Sequence, residues 1–507
     1  MLTLAVLSGP WPRLGVIAAA LLAGGAILAR TDAKRAWAML GAIVIAPVLL
    51  LDDVWHSSQL DSVHRHPAEA VVGAVVLLAV VAVAAYVVRR YRWLTAPLIV
   101  LTLPFRIPVT SGGTTNNLLL PLYFVVAAAA LAWIVPTLRD NRRATAQESE
   151  QRSPRHLFEK LLAAYVLLYA IQALYSPHFV QALQNEVFFY VPFAVLLALL
   201  RDIRWDRELL LRCLTLTGAL AVIFALIGFG EELTGTLWLN SSLLYADELH
   251  EYFQVNSVFF DPNIFGRYLA LTMILLAAVL LYDKRTRMQV AAIATLAVLW
   301  GGLIFTLSRS SMAALALGLA VLAALRWRAK PVLYAGLVVV VAGAVVVATH
   351  PAKFGLNQGA NGASGGRYSL ISGGFKLFRE KPLEGWGSGS FSTEYKHLDP
   401  DAARSVSDSH TIPITIAAEQ GLIGLAFYLA LVIAAIVTLL RGARGDPFRV
   451  GIAAAFLALL LHTMMYADFL EDPVTWTLLA IGGALASAST ARARSERPSR
   501  RPRAVSV

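Results

Sequence analysis

Three arginines and one histidine are the side chains of this chain best suited to chemistry, and each sits in a recognisable local context. Arg267 lies in SVFFDPNIFGRYLAL (257–271) and Arg309 in TLSRSSMAAL (306–315). Arg367 opens GGRYSLISGGFKLFREKP (365–382), and His410 lies in SDSHTIPITIAAEQGLIGL (407–425). Arginine pairs bidentately with phosphate oxygens. Histidine accepts a proton near neutral pH. A diphosphate whose charge is already neutralised needs no acid to leave, so the remaining requirement is a base for an attacking hydroxyl. His410 fills that place. Asp408 is close enough in sequence to orient it, and Glu419 lies nine residues on, about two and a half turns along a helix. This is transfer chemistry from a diphosphate, not hydrolysis by a pair of carboxylates.

Each residue also has a plain structural reading. Asp261 followed by Pro262 is a good helix start, and capping alone accounts for both, with Asn263 in the first turn. Arg267 is harder to dismiss. An arginine inside an apolar span costs about 2.5–3.5 kcal/mol on insertion scales and usually lines a cavity or pathway. Arg309 as a simple turn residue would meet lipid phosphates. Leu370, Ile371, Phe375 and Phe378 against Lys376, Arg379 and Lys381 suggest an amphipathic segment resting on a membrane, with Arg367 at its start. A lone His at the start of a helix is more often structural than catalytic.

The elements that must position these residues are membrane spans. The chain has 507 residues, 58% of them hydrophobic and only 15% charged, against about 25% charged in ordinary globular chains. Apolar runs of about 20 residues recur throughout. They fall at 14–29, 36–51, 68–88, 93–109, 117–138, 157–175, 179–200, 209–232, 258–281, 288–307, 310–326, 332–349, 413–440, 449–467 and 474–488. The fold class is therefore all-α, a polytopic integral membrane protein with 13 to 15 apolar segments and one long extracytoplasmic loop. The segment 93–109 is the weakest, because Pro97, Pro104 and Pro108 break a regular helix. Of the 43 Lys and Arg, 31 lie in alternate turns or the tail, which sets those turns in the cytoplasm. Six regions follow: an N-terminal bundle (1–138), a cytoplasmic linker (139–156), a central membrane region (157–349), an extracytoplasmic loop (350–412), C-terminal helices (413–488) and a disordered basic tail (489–507).

The same pattern excludes other classes. The net charge of +11 is explained by topology and anionic lipid headgroups, so no nucleic acid is expected. A single cysteine, Cys213, forbids an intrachain disulfide and any cysteine-based metal cage. His56, His64 and His66 lack metal-ligand spacing, and neither metal nor cofactor is expected. The run Gly385-Trp-Gly-Ser-Gly follows no strand and opens no nucleotide-binding helix, so it is not a phosphate loop.

Taken in order, FFDPNIFGRYLAL, LSRSSMAAL, GGRYSLISGGFKLFREKPLEGWGSGSF and SHTIPITIAAEQGLIGL resemble successive motifs of the O-antigen ligase and polymerase superfamily, over about 220–440. The resemblance implies a GT-C-like, metal-independent glycosyltransferase in the cytoplasmic (inner) membrane of a bacterium, active on its extracytoplasmic side. Its partners would be a polyprenyl-diphosphate-linked glycan donor, a glycan or glycolipid acceptor and membrane lipids. The family's Ser-Arg arginine matches Arg309, its loop histidine matches His410 and its loop-start arginine matches Arg367. One departure is Gln254, near which many members carry an arginine; Arg267 lies downstream. A glycolipid transporter or flippase is the competing class. It should carry charge through both halves and show a repeat, whereas here the notable charges gather beside one loop. A third class, an assembly scaffold, predicts that Arg309 and His410 tolerate substitution.

Overall fold

The computed structural model describes residues 10–55, 64–111, 114–140, 155–239, 253–327, 329–349, 367–399, 409, 411–466 and 469–495. The N-terminal part comprises α1 (Pro10–Leu28), α2 (Asp32–Val54), α3 (Pro67–Arg90), α4 (Thr95–Thr102), a hairpin of β1 (Ile107–Ser111) and β2 (Thr114–Leu118), and α5 (Leu120–Asp140). Next come α6 (Leu157–Ala173), α7 (Phe179–Asn185), a π-helical turn (Glu186–Tyr190), α8 (Val191–Arg201) and α9 (Arg207–Thr234). The remainder is α10 (Pro262–Tyr282), α11 (Thr286–Phe305), α12 (Arg309–Arg326), α13 (Ala329–Thr349), α14 (Arg367–Glu380), α15 (Phe391–Leu398), α16 (Ile412–Leu440), α17 (Pro447–Thr463) and α18 (Pro473–Ser495).

Among the described residues, eleven helices are long and apolar enough to cross a membrane. The fold is thus an all-α polytopic membrane bundle, with the antiparallel hairpin as its exception. That hairpin stands where three prolines fall. Helix α4 stops at Thr102, Pro104 follows, and Pro108 lies in β1 opposite Asn117. A backbone without the proline N–H cannot continue the helical ladder, so the chain turns to strand pairing. At the other end of the sequence, α18 runs on to Ser495. The region expected to be disordered from 489 therefore begins as helix, and the residues beyond 495 lie outside those described.

The helices pack through small residues, as expected where lipid gives no hydrophobic drive to association. A Cβ on Gly318 of α12 would lie 2.2 Å from Ile274 of α10, and one on Gly266 would lie 2.7 Å from the Ser311 hydroxyl. These contacts bring α10, α12 and α17 into one tight trio. The exposed valines of α3, among them Val71, Val75 and Val83, form a lipid-type surface.

The two ends of the bundle differ in chemistry. At one end, basic turn residues pair and cap. Arg35 bonds Asp202 and the Ala198 carbonyl, and Arg201 meets Glu159 at 2.6 Å. Arg449 donates to the Gly442 and Arg441 carbonyls at 2.6 and 2.7 Å, closing the C-terminus of α16. The opposite end carries the turns ahead of α10, α12 and α16 and the helices of the long loop.

Candidate functional site

The site is built at that second end, by the first turns of α10 and α12. Asp261 caps α10, accepting from the Asn263 backbone N–H at 2.6 Å, and Pro262 is its first residue. The Tyr466 hydroxyl donates to the Asp261 carboxylate at 2.9 Å. Ser308 caps α12. The Asn263 side-chain carbonyl accepts from the Ser308 and Ser310 hydroxyls at 2.8 and 3.2 Å, and its backbone carbonyl accepts from Ser311 at 3.3 Å. Asn263 is therefore the joint between the two helix starts.

The turns feeding these helices are strained. Ser257 and Leu307 both adopt positive φ, at 53° and 51°, which is uncommon away from glycine and clusters at functional sites. Buried Glu231 holds the first of these turns by accepting from the backbone N–H groups of Asn256 and Ser257 at 3.1 and 2.8 Å. The Leu307 turn delivers Arg309 as the first residue of α12, exposed, with no ion-pair partner among the described residues. A cation at a helix N-terminus opposes the helix dipole, so an exposed arginine there is not a capping device.

His462, in α17, lies at the centre of the arrangement. It is fully buried, and its Nε2 is 3.3 and 3.2 Å from the Ser310 and Ser311 hydroxyls. Arg267 and Arg367 both act on it electrostatically. His462 is not among the residues that the sequence motifs single out, although the signal is present: an ionisable side chain inside the apolar run FLALLLHTMM (456–465), in a setting where such residues are costly.

Arg267 is placed differently from the expectation of a free phosphate clamp. It is buried and paired with Asp472 at 3.1 Å, while its second terminal nitrogen has no hydrogen-bond partner among the described residues. Half of its binding capacity is thus committed within the protein. Arg367 begins α14 and is half-buried. His410 and Asp408 lie outside the described residues. Their described neighbours are well anchored. The Ser409 hydroxyl is 2.8 Å from that of Thr415 and donates to the Thr411 carbonyl at 2.8 Å, and the Thr411 hydroxyl donates to the Met464 carbonyl at 3.2 Å. The loop thereby joins α17 two residues beyond His462.

Glu419 lines a cavity with Tyr169, Asn185 and Glu471, and it also serves the loop. Its carboxylate accepts from the backbone N–H groups of Gly389 and Phe391 at 3.0 and 2.9 Å, fixing the start of α15. Beside it α16 breaks at Gly421, where φ is 63° and ψ is −163°. Trp386 and Gly387 donate to the Ala418 and Glu419 carbonyls at 3.1 and 2.7 Å, and Leu422 donates to the Pro382 carbonyl at 2.8 Å. A Cβ on Gly421 would stand 2.2 Å from the Leu383 carbonyl oxygen, so only glycine fits. The amide groups of the Gly-Trp-Gly run are spent on this clasp, in keeping with its rejection as a phosphate loop. Helix α14 was expected to rest on a membrane, yet it also buries a glycine face: a Cβ on Gly373 would meet the Tyr395 ring at 2.2 Å and one on Gly374 would meet Ile414 at 2.5 Å.

The clasp yields a direct prediction. Glu419→Ala orphans two buried amides, at about 2 kcal/mol for hydrogen bonds to a charged group. Hydrogen exchange at 387–391 should accelerate while α10 and α12 stay protected. Unchanged exchange with lost activity would move Glu419 from the scaffold into the chemistry.

Residues 294–429 match the O-antigen ligase family. The match contains Arg309, Arg367, His410 and Glu419 and all of the long loop. It supports a membrane enzyme that transfers glycosyl groups, with a lipid-linked glycan donor and a glycan or lipid acceptor. No curated protein matches the chain.

Proposed function

We propose that this chain, a member of the O-antigen ligase-like superfamily through residues 294–429, transfers a glycan from a polyprenyl diphosphate to an acceptor hydroxyl. The reaction would take place on the extracytoplasmic face of a bacterial cytoplasmic membrane, without a metal. The observation that carries this reading is the convergence at one bundle end of Arg309, Arg267 and Arg367 around the Asn263–Ser308–Ser310–His462 network. Concentrated positive charge suits a diphosphate that leaves as an anion.

In this reading Arg309 makes the principal contact with the diphosphate. Its guanidinium is exposed and unpaired among the described residues, and the serines on either side fix its helix start. Arg367 approaches from α14. Arg267 contributes through the nitrogen that Asp472 leaves unused. His410 takes the proton of the acceptor hydroxyl as that oxygen bonds to the anomeric carbon and the carbon–diphosphate bond breaks. Asp408 orients His410. His462 is a positioning residue: it holds the serine hydroxyls and has no direct path to an exposed substrate.

The orientation rests on the segregation of the basic turns at the far end of the bundle, the positive-inside arrangement. The glycolipid transporter reading is less favoured, because the charged constellation lies at one end only.

The test is Arg309→Gln in purified protein with a lipid-diphosphate-linked glycan. Losing a bidentate, charge-assisted contact should weaken donor use by about 10–100-fold, with Arg309→Lys recovering only part of it. Full transfer by Arg309→Gln would remove the diphosphate role. Translocation of the glycolipid in vesicles without any acceptor would favour the transporter.

A further inference from the structure

A pocket of about 560 Å³ opens at the loop end of the bundle, between the start of α1, the turn from α6 into α7, and α15. That lies within the range of small-molecule sites, roughly 300–1,000 Å³. His178, Gln181, Ser392 and Thr393 give it polar groups, and Pro177 and Val180 give it small apolar surfaces. Arg13 stands at its edge, with the guanidinium 5.9 Å from the centroid of the Phe179 ring. The walls are tied together before any ligand arrives. A Cβ on Gly387 would lie 2.5 Å from the Ser176 Cα, so the loop backbone rests directly on the turn. The Ser388 hydroxyl donates to the Tyr169 carbonyl at 2.9 Å, and the Ser176 hydroxyl accepts from the His178 backbone N–H at 3.1 Å. A preformed wall avoids the cost of ordering a loop on binding.

The lining selects among occupants. A hydrocarbon chain would leave hydroxyl and amide groups without partners. A phospholipid head group would call for clustered cations, and Arg13 is the single permanent charge among the described lining residues. The His178 Nε2 is buried and has no hydrogen-bond partner among the described residues. Its nearest carboxylate, Glu394, stands 3.8 Å away, beyond hydrogen-bond distance. Burial lowers the His178 imidazole below its ordinary value, with Glu394 opposing and His397 assisting. The ring is therefore neutral at pH 7 and offers one donor and one acceptor nitrogen. Uncharged hydrogen-bonding groups beside small apolar surfaces match a sugar, which presents hydroxyls at its ring edge and C–H groups on its faces.

We infer that this pocket seats sugar units of a glycan away from the bond being formed, so that the N-terminal part of the chain reads the saccharide. Arg13 and residues 176–181 lie outside the 294–429 match, while 389–393 lie within it. Helix α16 connects this pocket to the Arg309 site. It packs against α6, which leads into the pocket turn, and against α17, which carries His462. Its Glu419 also holds the Gly389 amide of the pocket wall. The inference deepens the transferase reading and rests on it for the source of the glycan. Donor and acceptor glycans offer the same chemistry, and the experiment separates them.

Oligosaccharides are released by mild acid from the lipid-diphosphate fraction of cells that carry the chain, then titrated into purified full-length protein. They should bind, and Thr393→Trp, which fills the pocket, should weaken them at least tenfold. Gln181 is exposed, so Gln181→Ala removes one hydrogen-bonding amide without filling space. It should weaken binding about threefold to tenfold and leave thermal unfolding unchanged. In the transfer assay each variant should raise KM for one substrate while kcat holds. A higher KM for the lipid-linked donor assigns the seated sugars to the donor, and a higher KM for the acceptor assigns them to the acceptor. Wild-type protein that fails to bind at millimolar oligosaccharide, or full affinity in both variants, would overturn the inference. Displacement of the oligosaccharide by phosphatidylglycerol vesicles would assign the pocket to a lipid head group and overturn it as well. Binding is read without transfer. Gln181-dependent binding in a protein that forms no product would sink the transferase reading and leave the sugar pocket standing.

Discussion

Replacing His410 with alanine is expected to abolish glycan transfer while the protein still inserts and retains its fold. A positioned general base contributes about 10²–10⁴-fold to rate. His462 cannot substitute, being fully buried against the Ser310 and Ser311 hydroxyls. The effect should be local, because the flanking chain is held independently of the imidazole, through Ser409 on Thr415 and Thr411 on Met464. Lipid-linked products from cells carrying the variant, separated by mass, give the readout. A normal product distribution at normal expression would refute the assignment.

The second large effect concerns Arg267 and Asp472. Asp472→Asn leaves the Arg267 guanidinium buried without its counter-charge, and breaking one partner of a buried pair costs about 3–5 kcal/mol. Replacing both with leucine removes the uncompensated charge as well as the pair, and such exchanges are often neutral or better for stability. Thermal unfolding in detergent should therefore fall for Asp472→Asn and recover for the Arg267→Leu/Asp472→Leu double variant. Transfer should not recover with it if Arg267 also touches the diphosphate. A double variant that regains both stability and transfer would make Arg267 a purely structural residue. This cycle separates two roles that share one side chain.

Much of the architecture was legible from local pattern. The apolar runs marked the helices. Three prolines marked the segment 93–109 as broken, and there the chain makes a short helix and a hairpin. Asp261-Pro262 read correctly as a cap and first residue, because both depend on dihedrals and donors within one turn. Arg309 and Arg367 were marked as cations in unusual places. What they meet was not legible. Asp472, which pairs with Arg267, is 205 residues further along the chain, and no periodicity connects them. His462 passed as part of an apolar run, since its meaning depends on two serines of another helix. The anchoring of Glu419 was not legible either, because sequence gives the carboxylate but not the two amides that donate to it.

The sequence by itself determined a polytopic helical membrane protein, the segregation of basic turns, and the residue types of the proposed site. Those properties follow from composition and from spacing within a turn or two, where the physics is local. The tertiary structure decided which charges remain available. It tied Arg267 to Asp472, left Arg309 exposed and bonded Glu419 into the loop beside Gly421. Charge compensation and burial are properties of contacts between distant segments, so they exist only once the helices have packed.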